Sequence, residues 1–135
     1  MNEVLEACDI LKKEGKVRAF GLSNESAWGT AQWLRISEDK DLPRMASIQN
    51  EYSLMCRIFD TDLAELSHNE NVGLLSFSPL ATGILSGKYL DGAIPKGSRG
   101  SIVNGLSGRM TPKIDAATRA YIEVADKYDL DTCQM

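Results

Sequence analysis

Strand-like apolar segments recur along this chain at a fixed interval, with helical patterns between them. One residue from each segment, Phe20, Ile48 and Ser76, marks this interval, and consecutive residues of the three are 28 residues apart. The segments occupy residues 16–22, 45–49 and 72–77. Strands that alternate with helices at a constant interval are typical of a parallel sheet with helices packed outside it. Two architectures fit this pattern, a doubly wound open sheet and a (β/α)8 barrel.

Four helices are predicted from apolar residues at helical spacing. They cover residues 3–14, 26–39, 60–70 and 116–128. The first has acidic residues early and lysines late, which suits the helix dipole, and Gly15 is expected to end it. Trp28 and Leu34 belong to the apolar surface expected on the second helix, and Val124 belongs to the stripe expected on the last.

The segment 72–77, VGLLSF, predicts a strand buried on both faces. A loop with two glycines and Lys88 follows it, and parallel α/β proteins usually bind ligands at this end of their strands. The loop is not a P-loop, because only three residues separate Gly83 from Gly87 and Tyr89 follows the lysine. It remains a loop whose backbone N–H groups and Lys88 could meet an anion, with Arg99 as a second cation.

Two other stretches predict irregular structure. Residues 50–54 are polar and are expected to form an exit loop after the second strand. Residues 91–112 are rich in glycine, serine and proline, which predicts a long connection, and loops of that length are usually functional or mobile.

Composition excludes several partners. The formal net charge is -4 with no basic cluster, which argues against nucleic-acid binding. No apolar run approaches the roughly 18 residues that span a bilayer, so no membrane partner is expected. The three cysteines, Cys8, Cys56 and Cys133, are far apart and odd in number, and we expect reduced thiols in a cytoplasmic protein. With His68 as the only histidine and no CxxC, no metal site is expected.

Polar and aromatic residues stand where the three predicted strands end. The pairs are Ser23-Asn24, Gln49-Asn50 and Phe77-Ser78. The carboxamides of Asn and Gln suit a neutral amide on a ligand, and the aromatic ring offers a face for stacking. The alternative is structural, since Ser23 and Asn24 could cap the following helix and Phe77 could belong to the core. No Ser-His-Asp or Cys-His arrangement can be assembled, and His68 lies on a polar helix face.

Three strands complete neither architecture, because a barrel needs eight strands and about 250 residues. The chain starts inside a predicted helix, and residues 131–135 look like a helix cap and first turn. We therefore expect a fragment of a larger domain.

Three motifs in register carry a family resemblance. They are GKVRAFGLSN at 15–24, SIQNEYSLM at 47–55 and SFSPLATGILSGKY at 76–89. Together they resemble the aldo-keto reductase family, with the nearest look to bacterial Tas-type and potassium-channel β-subunit-like members. The resemblance implies a (β/α)8 TIM barrel that reduces aldehydes and ketones with NADPH. It implies that residues 1–135 form part of that domain, about units 4–7, without the N-terminal half and the last βα unit.

The resemblance also implies roles for eleven residues. Ser23, Asn24 and Gln49 would hold the nicotinamide carboxamide, and Phe77 would stack on the ring. Those expected over the pyrophosphate are Ser78, Pro79, Leu80, Gly83 and Ser86. Those expected to face phosphates are Lys88 and Arg99.

No catalytic residue is expected in this chain, because the family's Asp, Tyr, Lys and His tetrad maps before Met1. The resemblance implies a small-molecule carbonyl substrate for the parent protein and no reductase activity for the isolated 135 residues. An NADP(H)-binding regulatory module of the potassium-channel β-subunit type is the alternative. A third possibility is a (β/α)8 enzyme of other chemistry, in which Gln49 makes no contact with NADPH.

Overall fold

The computed structural model describes all residues from Met1 to Met135. Its helices and strands, in chain order, are α1 (Asn2–Lys13), β1 (Phe20–Ser23), α2 (Ala27–Asp39), β2 (Met45–Glu51), α3 (Leu63–Glu70), β3 (Gly73–Phe77), α4 (Arg99–Ile102) and α5 (Pro112–Lys127). Turns of 3-10 helix occupy Ile58–Thr61, Ala81–Ser86, Leu90–Gly92 and Asn104–Gly108. The chain forms two compact units. The first comprises Met1–Tyr52 with Arg57–Phe77, and the second comprises Ser53–Cys56 with Ser78–Met135.

The first unit is built on a three-stranded sheet in the order β1-β2-β3, and both pairings are parallel. Leu22 lies opposite Ile48, and Ile48 lies opposite Leu74. The alternating order and the parallel pairing confirm the predicted α/β architecture. They agree with part of a (β/α)8 barrel.

One face of this sheet packs against the helices. Ile48 is 0% exposed and forms a core with Leu5 of α1, Leu34 of α2 and Leu63 of α3. Leu22 and Leu74, its neighbours in register, pack against the same core. Because side chains alternate along a strand, the residues directly before and after Leu22, Ile48 and Leu74 in their own strands point to the opposite face of the sheet.

The helix ends follow local chemistry. Ser26 caps α2 by accepting a hydrogen bond from the Gly29 N–H at 3.0 Å. Gly15 adopts a φ of 70°, and the following Lys16 N–H donates to the Leu11 carbonyl, which closes the end of α1. The predicted end of the first helix at Gly15 is confirmed.

Several predicted boundaries are wrong by a few residues. β1 begins at Phe20 rather than at residue 16. β2 continues to Glu51, so Asn50 and Glu51 belong to the strand and not to an exit loop. The reason is tertiary, since Asn50 pairs with Ser76 and Glu51 pairs with Phe77 of β3.

Two helices begin elsewhere than their apolar pattern indicates. α3 starts at Leu63 because the Asp62 carboxylate accepts from the Leu63 N–H and a 3-10 turn precedes it. α5 starts at Pro112, where Thr111 caps it and proline at the first position needs no N–H partner.

The predicted apolar faces are only partly correct. Trp28 is 70% exposed, and Trp33 packs against the core of the first unit in its place. Val124 is 47% exposed, whereas Ala125 and Thr118 of the same helix are buried. A 3.6-residue period fits two adjacent stripes on a short helix, and packing decides between them.

The prediction that β3 is buried on both faces is wrong, because Leu75 is 55% exposed. β3 pairs only with β2 and is therefore an edge strand. Leu74 packs against the helices, while the face that carries Leu75 has no layer over it.

The second unit has its own core of Ala81, Ile84, Leu85, Tyr89 and Leu106. α5 packs against this core through Ile114 and Tyr121. The predicted long connection 91–112 therefore contains short helical turns, and one of them, Asn104–Gly108, carries the buried residue Leu106.

A polar and aromatic cluster follows β2 in the first unit. The Tyr52 hydroxyl donates to Asp60 at 2.9 Å, and the Arg57 guanidinium is both bonded to Asp60 and stacked over the Tyr52 ring. Phe59 meets that ring edge-on, with centroids 5.8 Å apart. The Tyr52 hydroxyl, followed by Arg57, lowers the pKa of Asp60 from its ordinary 3.8.

No helix in the structure combines the length and the apolar character needed to cross a bilayer.

Gly21 of β1 tests the packing on the open sheet face. A Cβ at this position would collide with Ser47 Oγ and lie 3.0 Å from the Ser47 carbonyl oxygen. We expect Gly21→Ala to lower the free energy of unfolding by about 1–3 kcal/mol, measured by urea denaturation. Gly73→Ala is the control, because its Cβ would lie 3.8 Å from the nearest atom, the Ala46 carbonyl oxygen. Equal losses in the two variants would contradict the packing argument.

The Asp60 cluster predicts a pH dependence. A carboxyl with a lowered pKa in the folded state stabilises the fold above its unfolded pKa, here 3.8, and this contribution disappears as pH falls through the folded pKa. We expect Tyr52→Phe to raise the Asp60 pKa, and to lower stability more at pH 7 than below pH 3.8. Carboxyl NMR titration and urea unfolding at both pH values measure this. Tyr128→Phe, at an exposed ring, is the control. An unshifted Asp60 in the unsubstituted protein would refute the assignment.

Candidate functional site

Three of the residues predicted to bind a ligand share the open face of the sheet. Ser23 lies opposite Gln49, and Glu51 lies opposite Phe77. Gln49 is one residue beyond the buried Ile48, and Phe77 is two residues beyond Leu75, so strand alternation directs both away from the helices. Ser23 and Gln49 are exposed and Phe77 is half-buried. The carboxyl end of the sheet therefore carries a hydroxyl, a carboxamide and an aromatic ring together.

Asn24 continues this edge through its backbone. Its N–H donates to the Gln49 carbonyl at 2.9 Å, which extends the pairing of β1 with β2 by one residue. Its φ of 52° is left-handed, a conformation that asparagine tolerates better than most residues. The turn places its Nδ2 within 3.2 Å of Ser23 Oγ, to which it donates a hydrogen bond. The Asn24 carboxamide is thereby fixed beside Ser23, and its carbonyl oxygen remains an acceptor.

The structure excludes one of the two explanations of Ser23 and Asn24, that they cap α2. Neither residue caps α2, because Ser26 supplies the capping oxygen. Their polar groups instead lie exposed beside Gln49. The arrangement offers several donors and acceptors in one place, which suits a ligand with an amide group.

The loop after β3 belongs to the second unit and has an unusual backbone. Ser78, Ala81 and Thr82 all adopt positive φ, at 53°, 48° and 60°. The Leu80 carbonyl accepts from two N–H groups, those of Gly83 and Leu85. This much left-handed backbone in non-glycine residues is costly, and it persists only where the surroundings fix it.

Side chains reinforce the shape of this loop. The Ser86 hydroxyl donates to the Gly83 carbonyl at 2.7 Å, and the Thr82 hydroxyl donates to the Ala81 carbonyl. Pro79 is exposed, whereas Leu80 packs against the core of the second unit. The Ser86 hydroxyl thus stabilises the backbone conformation of the loop.

Lys88 folds back over the loop at Gly83. Gly83 has a φ of 95°, and a Cβ there would lie 2.9 Å from both Cε and Nζ of Lys88. The lysine ammonium also lies 5.3 Å from the centroid of the Tyr89 ring. The absence of a side chain at Gly83 therefore leaves the space that the lysine occupies, and the Lys88 ammonium lies close to the Gly83 backbone.

Tyr89 is a buried residue of this loop whose contacts the sequence does not predict. It is 2% exposed, and its hydroxyl accepts a hydrogen bond from the Gly100 N–H at 3.1 Å. That N–H lowers the pKa of Tyr89 from its ordinary 10.0, and the positive charges of Lys88 and Arg99 act in the same direction. Arg99 itself is exposed and adjoins Gly100. No local pattern predicts this contact, because the two partners are 11 positions apart in the chain.

The two units carry different chemistry. The first brings together Ser23, Asn24, Gln49 and Phe77, which are uncharged. The second holds Lys88 against the loop at Gly83 and presents Arg99 beside Gly100. No group of three or more His, Cys, Asp or Glu side chains is arranged to hold a metal ion.

Comparison with protein families identifies the class of this chain. The model of the Aldo/keto reductase family matches residues 1–135. The chain belongs to the aldo/keto reductase family, and its relatives in this family are oxidoreductases.

Individual relatives agree with this assignment. Protein Tas of Escherichia coli strain K12 is 40% identical over 133 residues, covering 98% of this chain and 38% of Tas. L-glyceraldehyde 3-phosphate reductase of the same strain is 31% identical over 141 residues, covering 100% of this chain and 40% of the reductase. A probable voltage-gated potassium channel subunit beta of Arabidopsis thaliana is 40% identical over 86 residues, covering 57% of this chain and 26% of the subunit. The chain thus spans about two fifths of the length of the first two relatives.

Proposed function

We propose that this chain supplies cofactor contacts in an NADP(H)-dependent aldo/keto reductase that converts aldehydes or ketones to alcohols by hydride transfer. The observation that carries the proposal is the exposed row of Ser23, Asn24 and Gln49 at the carboxyl end of the parallel sheet. Ligands of parallel α/β proteins bind at this end. We assign the chain to about units 4–7 of a (β/α)8 barrel.

The proposed nicotinamide contacts come from the first unit. The carboxamide of nicotinamide has one carbonyl oxygen and one NH2 group, and Asn24 and Gln49 offer the complementary groups. The hydrogen bond from Asn24 to Ser23 orients the Asn24 carboxamide before any ligand arrives. Phe77, half-buried on the same face as Gln49, would stack on the ring.

The proposed phosphate contacts come from the second unit. Lys88 lies against the backbone at Gly83, where a Cβ would fill the space. This cradle of a cation and a side-chain-free backbone fits an anionic group, which supports assigning it to the phosphates. Ser78, Pro79 and Leu80 would shape the covering loop, and Arg99 would supply a second positive charge.

The chemistry divides between cofactor and protein. NADPH, when bound, would supply the hydride for reduction of a carbonyl group, and the reaction would also require a proton from an acid. The residues of this chain would bind and orient the nicotinamide and neutralise phosphate charge. We assign none of them as the acid.

The substrate proposed is a small-molecule carbonyl compound. Two similar proteins support this class by name, L-glyceraldehyde 3-phosphate reductase and aflatoxin B1 aldehyde reductase member 4. We propose a cytoplasmic protein that needs no nucleic acid, membrane or metal as partner.

A second function is favoured by one comparison. The potassium channel subunit beta of Arabidopsis is as similar in sequence, at 40%, as Protein Tas, although over a shorter stretch. On this alternative the protein binds NADP(H) and regulates a partner without catalysing turnover. Cofactor that binds without turnover in the full-length protein, or a co-purifying channel, would favour it.

Gln49→Ala tests the nicotinamide contact. We expect NADPH affinity to fall about tenfold, because about two hydrogen bonds to the carboxamide are lost. Binding is measured by the change in NADPH fluorescence on titration with the purified protein. Gln32→Ala removes the same side chain from α2, where it accepts a bond from Arg35, and should leave affinity unchanged.

Each result has a separate meaning. Unchanged NADPH affinity in Gln49→Ala would favour a (β/α)8 enzyme of other chemistry. An equal loss in the Gln32→Ala control would show that both substitutions act through the fold.

A further prediction concerns the 135 residues in isolation. Without a proton donor for the alkoxide, the purified chain should show no NADPH-dependent reduction of aldehydes, followed by absorbance at 340 nm. Turnover by the sequence-verified chain would refute the assignment of the acid to other residues.

A further inference from the structure

We propose that Tyr89 is a positioning residue that fixes both cations of the second unit, Lys88 and Arg99, for phosphate binding. The inference rests on the proposed NADP(H) function, and it adds a residue that makes no phosphate contact itself.

The ring of Tyr89 lies between two glycines. A Cβ at Gly83 would be 3.5 Å from Tyr89 Cε2, and a Cβ at Gly100 would be 2.8 Å from Tyr89 Cε1. Any side chain at Gly100 would therefore displace the ring, since contacts under 3.0 Å force a shift. Gly83 and Gly100 belong to two separate stretches of chain, and the ring connects them.

The hydroxyl of Tyr89 holds the second of these stretches. It accepts the Gly100 N–H at 3.1 Å in a buried position. Arg99 is the residue before Gly100, so this hydrogen bond fixes the peptide from which its side chain extends. A buried N–H without a partner is costly, and the loop would move to satisfy it if the hydroxyl were removed.

The face of the Tyr89 ring contacts the first stretch, which carries Gly83 and Lys88. The Lys88 ammonium lies 5.3 Å from the ring centroid, a distance at which a cation is attracted to an aromatic face. Gly83 leaves room for the lysine side chain on the other side. One buried side chain thus contacts both Lys88 and the peptide beside Arg99.

A purely structural role for Tyr89 is the competing explanation, since it belongs to the core of the second unit. Tyr121 supplies the comparison. It packs against the same core, and its hydroxyl donates to the Leu54 carbonyl at 3.1 Å. Removing either hydroxyl takes one hydrogen bond from the unit, but the Tyr121 hydroxyl bonds to Leu54, whereas the Tyr89 hydroxyl bonds to the residue that follows Arg99.

A double-mutant cycle tests the positioning role. NADPH dissociation constants are measured for the purified protein, Tyr89→Phe, Arg99→Ala and the double variant. We expect Tyr89→Phe to weaken binding about three- to tenfold and Arg99→Ala about tenfold, with the double variant within about twofold of Arg99→Ala. Tyr121→Phe should leave the dissociation constant unchanged. Unchanged affinity in Tyr89→Phe, or losses that multiply in the double variant, would overturn the proposal.

Hydrogen exchange at the Gly100 amide gives a readout that needs no cofactor. We expect protection in the unsubstituted protein and in Tyr121→Phe, and exchange about tenfold faster in Tyr89→Phe. A Gly100 amide that is unprotected in the unsubstituted protein would also overturn the proposal.

The two readouts separate the two hypotheses. An unsubstituted protein that fails to bind NADPH, with Gly100 protected by Tyr89, would refute the proposed function and the phosphate role of the cations. Binding of NADPH that weakens in Arg99→Ala but not in Tyr89→Phe would refute the positioning role alone.

Discussion

The parallel register across the three strands is the constraint on which the first unit depends. Ser23, Gln49 and Leu75 lie side by side only because Leu22, Ile48 and Leu74 do so one residue earlier. A slip of one residue in β2 would bury Gln49 among the helices and expose Ile48, which is 0% exposed. The burial of Ile48 therefore fixes the position of Gln49 as well. The core thus determines the geometry of the polar row formed by Ser23, Asn24 and Gln49.

The second unit reaches a fixed geometry by another route. Its loop is not held by strand pairing, and it contains left-handed residues such as Ala81 and Thr82 whose backbone is intrinsically unfavourable. Burial compensates for this cost, because Ala81, Ile84 and Tyr89 pack together in one core. A loop with a strained backbone over a buried anchor keeps its shape before a ligand arrives, which reduces the ordering cost of binding.

The sequence predicts the features that local chemistry determines. The alternation of strands and helices and the end of α1 at Gly15 follow from apolar spacing and capping, and the structure confirms them. It fails where a distant partner decides, as at Glu51, which stays in β2 because β3 pairs with it. Helical spacing predicts Trp28 on the apolar face of α2, and a continuous apolar run predicts Leu75 as buried, yet both are exposed. The contact of Tyr89 with Gly100 also depends on a distant partner, and no local sequence pattern predicts it.

Strand alternation also separates stability from binding in the first unit. The side chains that face the helices, such as Leu22 and Ile48, account for the core, whereas Ser23 and Gln49 are exposed and bury little apolar surface. A substitution at Gln49 therefore changes the proposed cofactor contact while the core beneath it remains intact. At Tyr89 the two roles coincide, because the same ring packs in the core of the second unit and contacts Lys88. The polar row can thus vary in chemistry on a constant sheet, but the cations of the second unit are tied to the packing that holds their loop.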